Sequence, residues 1–148
     1  MVRWYNDYNN LSFGGVISIF YSFPSQTERR KFGGSDFLEM QFCKMPKETK
    51  LQSIVSIDNV NHWFDDSLYI SGDDINAFLE EYGCIFNCGV YNNLEIGTVD
   101  PFGINYYKPE LIETIITELL EVKPTDFEKL LEWLNTAKKY NGFYILGV

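Results

Sequence analysis

Residues 109–148 read PELIETIITELLEVKPTDFEKLLEWLNTAKKYNGFYILGV, and this stretch decides the fold. Pro109 suits the first position of a helix, where its missing N–H would be unpaired anyway. Leu111, Ile112, Ile115, Ile116, Leu119 and Leu120 then recur at helical spacing as one broad apolar stripe. Pro124 ends that helix. Thr125-Asp126-Phe127-Glu128 has the form of a capping box opening a second one, whose inward face is Phe127, Leu130, Leu131, Leu134 and Ala137. Gly142 closes it, and residues 143–148, almost wholly apolar, read as a buried strand. Two successive helices followed by a strand do not make the βαβα alternation of a doubly wound parallel sheet. The expectation is α+β: a mostly antiparallel sheet with two C-terminal helices packed on one face, a short central helix, and a last strand able to reach an interior position.

Upstream of the tail lies a hairpin signal. Residues 85–91 and 94–99 flank Asn92-Asn93, and asparagine tolerates the positive φ of a two-residue turn. Gly89 and Gly97 would then face each other, marking a close backbone approach or a bulge. Before the hairpin, Ser71-Gly72-Asp73-Asp74 pairs a capping hydroxyl with a carboxylate three residues on. Ile75, Phe78, Leu79 and Tyr82 form a single helical face, and Gly83 suits a left-handed stop. Strands are expected at 16–23, 37–45, 53–58 and 67–70. Residues 27–35 read as a polar turn closed by Gly33-Gly34, with Arg29-Arg30-Lys31 solvated at its tip.

A chain of 148 residues with 45% hydrophobic and 17% aromatic side chains has material for one real core, so residues 1–148 are expected to form a single domain. No apolar run approaches the roughly 20 residues needed to span a bilayer. The stretch Met1-Val2-Arg3-Trp4-Tyr5-Asn6-Asp7 lacks the apolar core of a signal peptide, so a cytoplasmic location is expected. Cys43, Cys84 and Cys88 then read as reduced thiols serving as small apolar residues.

Charge is distributed unevenly. Between Leu51 and Tyr107 there is no lysine or arginine but there are nine carboxylates: Asp58, Asp65, Asp66, Asp73, Asp74, Glu80, Glu81, Glu95 and Asp100. The flanking segments carry +2 and −2, so the formal −9 of the chain resides in this central belt. Such a field attracts cationic partners and repels nucleic acid and anionic membrane. Aromatics are interleaved with the acids, and tyrosine and tryptophan anchors with charged rims are what protein interfaces favour. The expected partner-binding residues are Trp63, Asp65, Asp66, Tyr69, Asp73, Asp74, Glu80, Glu81, Tyr91 and Glu95.

No catalytic motif appears. The single histidine, His62, reads as a loop residue hydrogen-bonded near the surface. No serine sits in a G-x-S-x-G elbow. The doublets Asp65-Asp66, Asp73-Asp74 and Glu80-Glu81 do not make a carboxylate dyad, because adjacent residues do not face each other on a helix or a strand. Cys84 and Cys88 with a distant His62 give only a weak zinc signal, which would need a further ligand, and Asp58-Asn59-Val60-Asn61 lacks the glycine and closing glutamate of a calcium loop. The chain is therefore read as non-enzymatic, with no metal and no cofactor.

A small single domain, an acid-rich centre from Asp58 to Asp100, a lack of catalytic groups and the tail Tyr140-Asn141-Gly142-Phe143-Tyr144-Ile145-Leu146-Gly147 together resemble the bacterial immunity proteins. These accompany polymorphic toxins, including those of contact-dependent growth inhibition. The resemblance implies a cytoplasmic inhibitor that binds a cognate basic toxin domain, such as a nuclease, and occludes it. It fixes no architecture, because such proteins span many folds. Two other classes fit the same sequence. One is a phage-type anti-defence protein or nucleic-acid mimic. The other is a small enzyme or ligand-binding domain whose site is assembled from dispersed Tyr, Asn and Asp. A scaffold subunit would instead show a large apolar self-interface.

Overall fold

The computed structural model describes residues 18–34 and 36–147. Six strands among them, β1 (Phe37–Phe42), β2 (Leu68–Ser71), β3 (Gly89–Val90), β4 (Ile96–Gly97), β5 (Ile104–Tyr107) and β6 (Phe143–Leu146), form one sheet. Its order is β2-β1-β6-β5-β3-β4, and every neighbouring pair is antiparallel. The α+β architecture is the one the tail implied. The last strand lies inside the sheet, between β1 and β5.

Both faces of this sheet are covered. Alternation sends Leu38, Met40, Phe42, Leu68, Ile70, Tyr107, Phe143 and Ile145 to one side. There they meet α3 (Ile75–Tyr82), α4 (Ile112–Val122) and α5 (Phe127–Ala137) through Phe78, Tyr82, Ile112, Ile115, Leu119, Leu130 and Leu134. Each fully buried large apolar side chain contributes about 1.5–3 kcal/mol, so this layer carries most of the stability. Trp133 of α5 anchors it: its ring stacks on Phe42 at 4.3 Å between centroids, meets Phe143 edge-on at 5.6 Å, and its Nε1 donates to the Asp66 carbonyl at 2.9 Å.

Cross-strand register aligns the other face into rows. One row runs Tyr69–Glu39–Leu146–Ile104 and the next Gln41–Tyr144–Tyr106–Val90–Ile96. Two short helices shelter part of it. In α1 (Gln26–Phe32), the Ser25 hydroxyl caps the start by accepting from the Glu28 N–H at 3.2 Å. This helix replaces the expected turn at 27–35, because Ser25-Gln26-Thr27-Glu28 supplies both halves of a capping-box sequence. Arg29 is consequently not a solvated tip; its guanidinium lies 4.3 Å from the centroid of the Trp63 ring. Gly33 and Gly34 do close the segment with positive φ of 94° and 80°. The second, α2 (Leu51–Ile54), is followed by a 3-10 turn at Ile57–Asn59. The strand expected at 53–58 is therefore absent: a short apolar run fits a buried helical turn as well as a strand, and Ile54 and Val55 reach the core from this one.

Several local readings change in the same way. At the expected strand 16–23, Tyr21 makes a single bridge with Tyr69, while Val16 and Ile17, like Gly14-Gly15, lie outside the described residues. Gly83 ends α3 with φ −59°, still right-handed, and the chain continues as turns. The hairpin strands are two residues each, and Gly89 pairs with Gly97 as expected. Positive φ falls on Leu94 (73°) rather than on the asparagines. Tyr91 accepts from the Leu94 N–H and donates to the Glu95 carbonyl, which is a three-residue loop ending in a left-handed residue. Cys43 is buried, but Cys84 is exposed and Cys88 half-buried, and all three are free thiols.

The second capping box also fails, and the reason is instructive. Asp126 has φ 64° and makes no cap bond. Its carboxylate instead accepts from the N–H groups of Ile19 and Phe20 at 3.0 and 3.1 Å. Glu81 of α3 takes over at the helix start, accepting from the Thr125 N–H at 2.9 Å. The acid thus fastens the 18–21 segment across the helical layer. Asp126→Ala is expected to lower the unfolding free energy by about 1–2 kcal/mol, measured by urea denaturation, with the amides of Ile19 and Phe20 losing hydrogen-exchange protection.

Candidate functional site

Sheet order separates the expected partner-binding residues into groups. Asp65, Asp66, Asp73 and Asp74 flank β2 at one edge, whereas Tyr91 and Glu95 belong to the β3–β4 hairpin at the other. Five strand spacings of roughly 4.8 Å put those edges about 24 Å apart. Glu80 and Glu81 lie on α3, on the helical side. The belt that is continuous in sequence is therefore not one patch in space.

Many of these side chains have internal work. Tyr69 is buried, and burial first, then the Glu39 charge, pushes its hydroxyl pKa upward. Trp63, half-buried, stacks on Tyr69 at 5.3 Å. Asp66 pairs with Lys44 at 2.7 Å, and this hydrogen bond, ahead of an opposing desolvation, raises the lysine's pKa. Glu81 holds Thr125, and the Tyr91 hydroxyl donates to the Thr98 carbonyl. Asp74 is half-buried at the start of α3. Asp65, Asp73, Glu80 and Glu95 are the exposed members.

The structure displays a different feature, on the sheet face opposite the long helices. There the sheltering segments leave a cleft of about 430 Å³. Its floor is the Leu146 and Ile104 end of the first cross-strand row. One wall is Ile57, Val60 and His62, from the segment after α2. The opposite wall is Tyr91 with the turn carrying Asp100, Phe102 and Gly103. That turn is held from within: Asp100 Oδ1 accepts from the Phe102 N–H at 2.9 Å, and the Gly103 carbonyl accepts from the Gly147 N–H at 2.8 Å. A β-carbon on Gly147 would collide with the Pro101 carbonyl, so the turn can press against the end of β6 only because that residue is glycine.

Behind His62 lies a buried carboxylate. Glu39 is 2% exposed in the middle of β1. Its Oε1 accepts from the Trp63 N–H at 2.9 Å and sits 3.4 Å from His62 Nδ1. Its Oε2 accepts from the Ser67 hydroxyl at 2.7 Å, the Gln41 amide at 3.1 Å and the Phe64 N–H at 3.2 Å. Burial alone would raise the carboxyl pKa; the bonds from His62, Trp63, Ser67 and Gln41 together outweigh it, so the net shift is downward. Glu39 therefore anchors the 62–67 segment as an anion. With Nδ1 turned to Glu39, Nε2 is the histidine nitrogen left for a ligand.

The rim of the cleft is apolar and anionic. Ile57 is 67% exposed and Phe102 82%, on opposite lips. Ile96 (66%) and Leu94 (44%) are exposed on the hairpin that carries Tyr91. Asp58 and Glu95 are exposed beside them. Among the described residues no lysine or arginine lines the cleft, and neither does any serine, threonine or cysteine. Among the described residues no group of three or more His, Cys, Asp or Glu could hold a metal, and no helix is long and apolar enough to cross a membrane. Of the expected partner-binding residues only Tyr91 lines the cleft; Asp100 belongs to the acidic belt without having been singled out, and His62 was read as an ordinary loop histidine. The cation-free run was the signal available, since nearly all of the lining comes from it. No protein family, curated protein or solved structure matches this chain.

Proposed function

We propose that this chain is a non-catalytic inhibitor that binds a basic protein and occludes it, in the manner of the immunity proteins that accompany bacterial toxins. One observation carries the reading. Two exposed apolar side chains, Ile57 and Phe102, line the cleft with Asp100, two more, Leu94 and Ile96, are exposed beside Glu95 on the hairpin that supplies Tyr91, and among the described residues no lysine or arginine lines the cleft. An apolar centre with charge at its margin is the anatomy of a protein interface, and scattered single apolar residues would need no such explanation. Net charge of −9 adds long-range attraction for a cationic partner.

The experiment is protection. The reading expects a toxin gene beside the one for this chain; cells producing that neighbouring protein should survive when the chain is co-produced and die without it, and death in both cases, or a harmless neighbour, refutes the reading. Association with that toxin should slow about tenfold or more between low and physiological salt, as steered encounters do. Dissociation, governed by short-range contacts, should change little. Stopped-flow fluorescence measures both, and an on-rate indifferent to salt removes steering from the account.

A second reading rests on the Glu39–His62 pair. A carboxylate-held imidazole beside a cleft is a general-base arrangement, which would suit a small hydrolase or ligand-binding domain. Among the described residues no serine, threonine or cysteine lines the cleft, so the chemistry this reading offers from them is water activation by His62.

A further inference from the structure

We infer that the cleft receives a lysine or arginine side chain carried on an apolar stretch of the partner protein. The inference rests on the inhibitor reading for the partner's basic character, and moves the centre of recognition from the belt around β2 to the cleft over the central strands β6 and β5. Three features select this occupant. Asp100 is half-buried in the wall, and only its Oδ1 is committed to the turn, so Oδ2 is available to a cation. The floor and the facing wall, Leu146, Ile104, Val60 and Ile57, are apolar, which suits the methylene stem of a long basic side chain whose head reaches the carboxylate. Phe102 and Ile57 on the lips are too exposed to serve the core and would close on a neighbouring apolar residue. A cleft of about 430 Å³ holds more than one side chain, which is why a short segment fits better than a free amino acid.

Charge rules out other occupants. A phosphate or an acidic peptide would meet Asp100 with no lysine or arginine among the described lining residues to offset it. Glu39, anionic behind His62, adds to that repulsion. A hydrogen-bonded cation–carboxylate contact in a partly desolvated wall is among the stronger polar interactions.

Two probes separate this proposal from the function it deepens. The first is the tripeptide N-acetyl-Phe-Lys-Leu-amide, titrated into the ¹⁵N-labelled full chain, with N-acetyl-Phe-Glu-Leu-amide as the opposite-charge control. The lysine peptide should move the amides of Asp100, Gly103, Ile104 and Gly147 saturably, and the glutamate peptide should not. Asp100→Asn keeps the Oδ1 that accepts from Phe102 and removes the charge; it should weaken the lysine peptide at least about tenfold with an unchanged melting temperature. Equal shifts with both peptides, or none at these amides, overturn the proposal. The second probe is the adjacent toxin. Full protection by the D100N/F102A double variant, with unaltered affinity, refutes the cleft as the recognition site and leaves the inhibitor reading standing. Lysine-peptide binding at the cleft without protection by the wild-type chain does the reverse.

Discussion

Glu39→Ala is expected to lower the unfolding free energy by about 3–5 kcal/mol, a cost of the size seen when one member of a buried charged network is removed. The carboxylate receives six contacts, from the Trp63 and Phe64 N–H groups, the Ser67 and Tyr69 hydroxyls, the Gln41 amide and His62. Truncation leaves those donors facing a methyl group, and each buried donor left unpaired costs about 1–3 kcal/mol. Because domains of this size are stable by about 5–15 kcal/mol in all, the urea midpoint should fall far enough to read directly. Glu39→Gln keeps one accepting oxygen and should cost less. The loss is also pH-dependent. The folded carboxyl has a lower pKa than the unfolded one, so the contribution is complete above the unfolded value of about 4.3 and disappears as pH falls through the folded value. Wild-type stability should therefore drop steeply in that acidic window while Glu39→Gln drops less. A parallel pH profile for the two proteins, or a loss below about 1 kcal/mol for Glu39→Ala, would mean that the 62–67 segment is held by other contacts.

Trp133→Ala is expected to cost about 3–5 kcal/mol, the range for deleting a large buried aromatic. The ring is sandwiched into the helical layer by Phe42 and Phe143, and its indole N–H reaches the Asp66 carbonyl. Removing it opens a void at the point where α5 meets β1 and β6, and frees a backbone acceptor beside the Lys44–Asp66 pair. Trp133→Phe retains a ring for the stack and loses the hydrogen bond, so it should fall between wild type and alanine, about 1–2 kcal/mol below wild type. Thermal unfolding followed by near-ultraviolet circular dichroism reports both stability and packing. An alanine variant within about 1 kcal/mol of wild type would mean that the layer refills the void by rearrangement.

These two residues differ in how visible they were. Trp133 falls three residues after Leu130 and four before Ala137, on the inward side of a clear helical pattern, although the expected inward face did not include it; the helix was legible, the partner rings were not. Strand β1 was equally plain as a strand. Nothing in its alternation told Glu39 from a solvent-facing acid, because an antiparallel sheet usually leaves one face wet. What buried it was the segment from 61 to 67 folding over that face. The errors at α1 and α2 have one source. Short segments rich in mixed residues are decided by what they cover, and a capping sequence at Ser25 outweighed the appearance of a basic turn. The acidic belt shows the limit of one-dimensional charge counting. Its members lie close in sequence, yet the sheet carries β2 and β4 to opposite edges, so adjacency along the chain became distance in space. The cleft escaped notice for the complementary reason: its walls come from residues far apart in sequence that the cross-strand register brings together.

The position of β6 has a consequence for how the molecule comes into being. The pair β2-β1 and the trio β5-β3-β4 share no border; each touches only the strand between them. Until the ribosome has delivered residues 143–146, two fragments of sheet with raw inner margins must wait as a nascent polypeptide, and neither can be zipped to the other. Such late, long-range closure is slow, and exposed margins invite pairing with foreign strands meanwhile. A chaperone that shields those margins during synthesis would thus matter more to the yield of this protein than any added stability of its finished form.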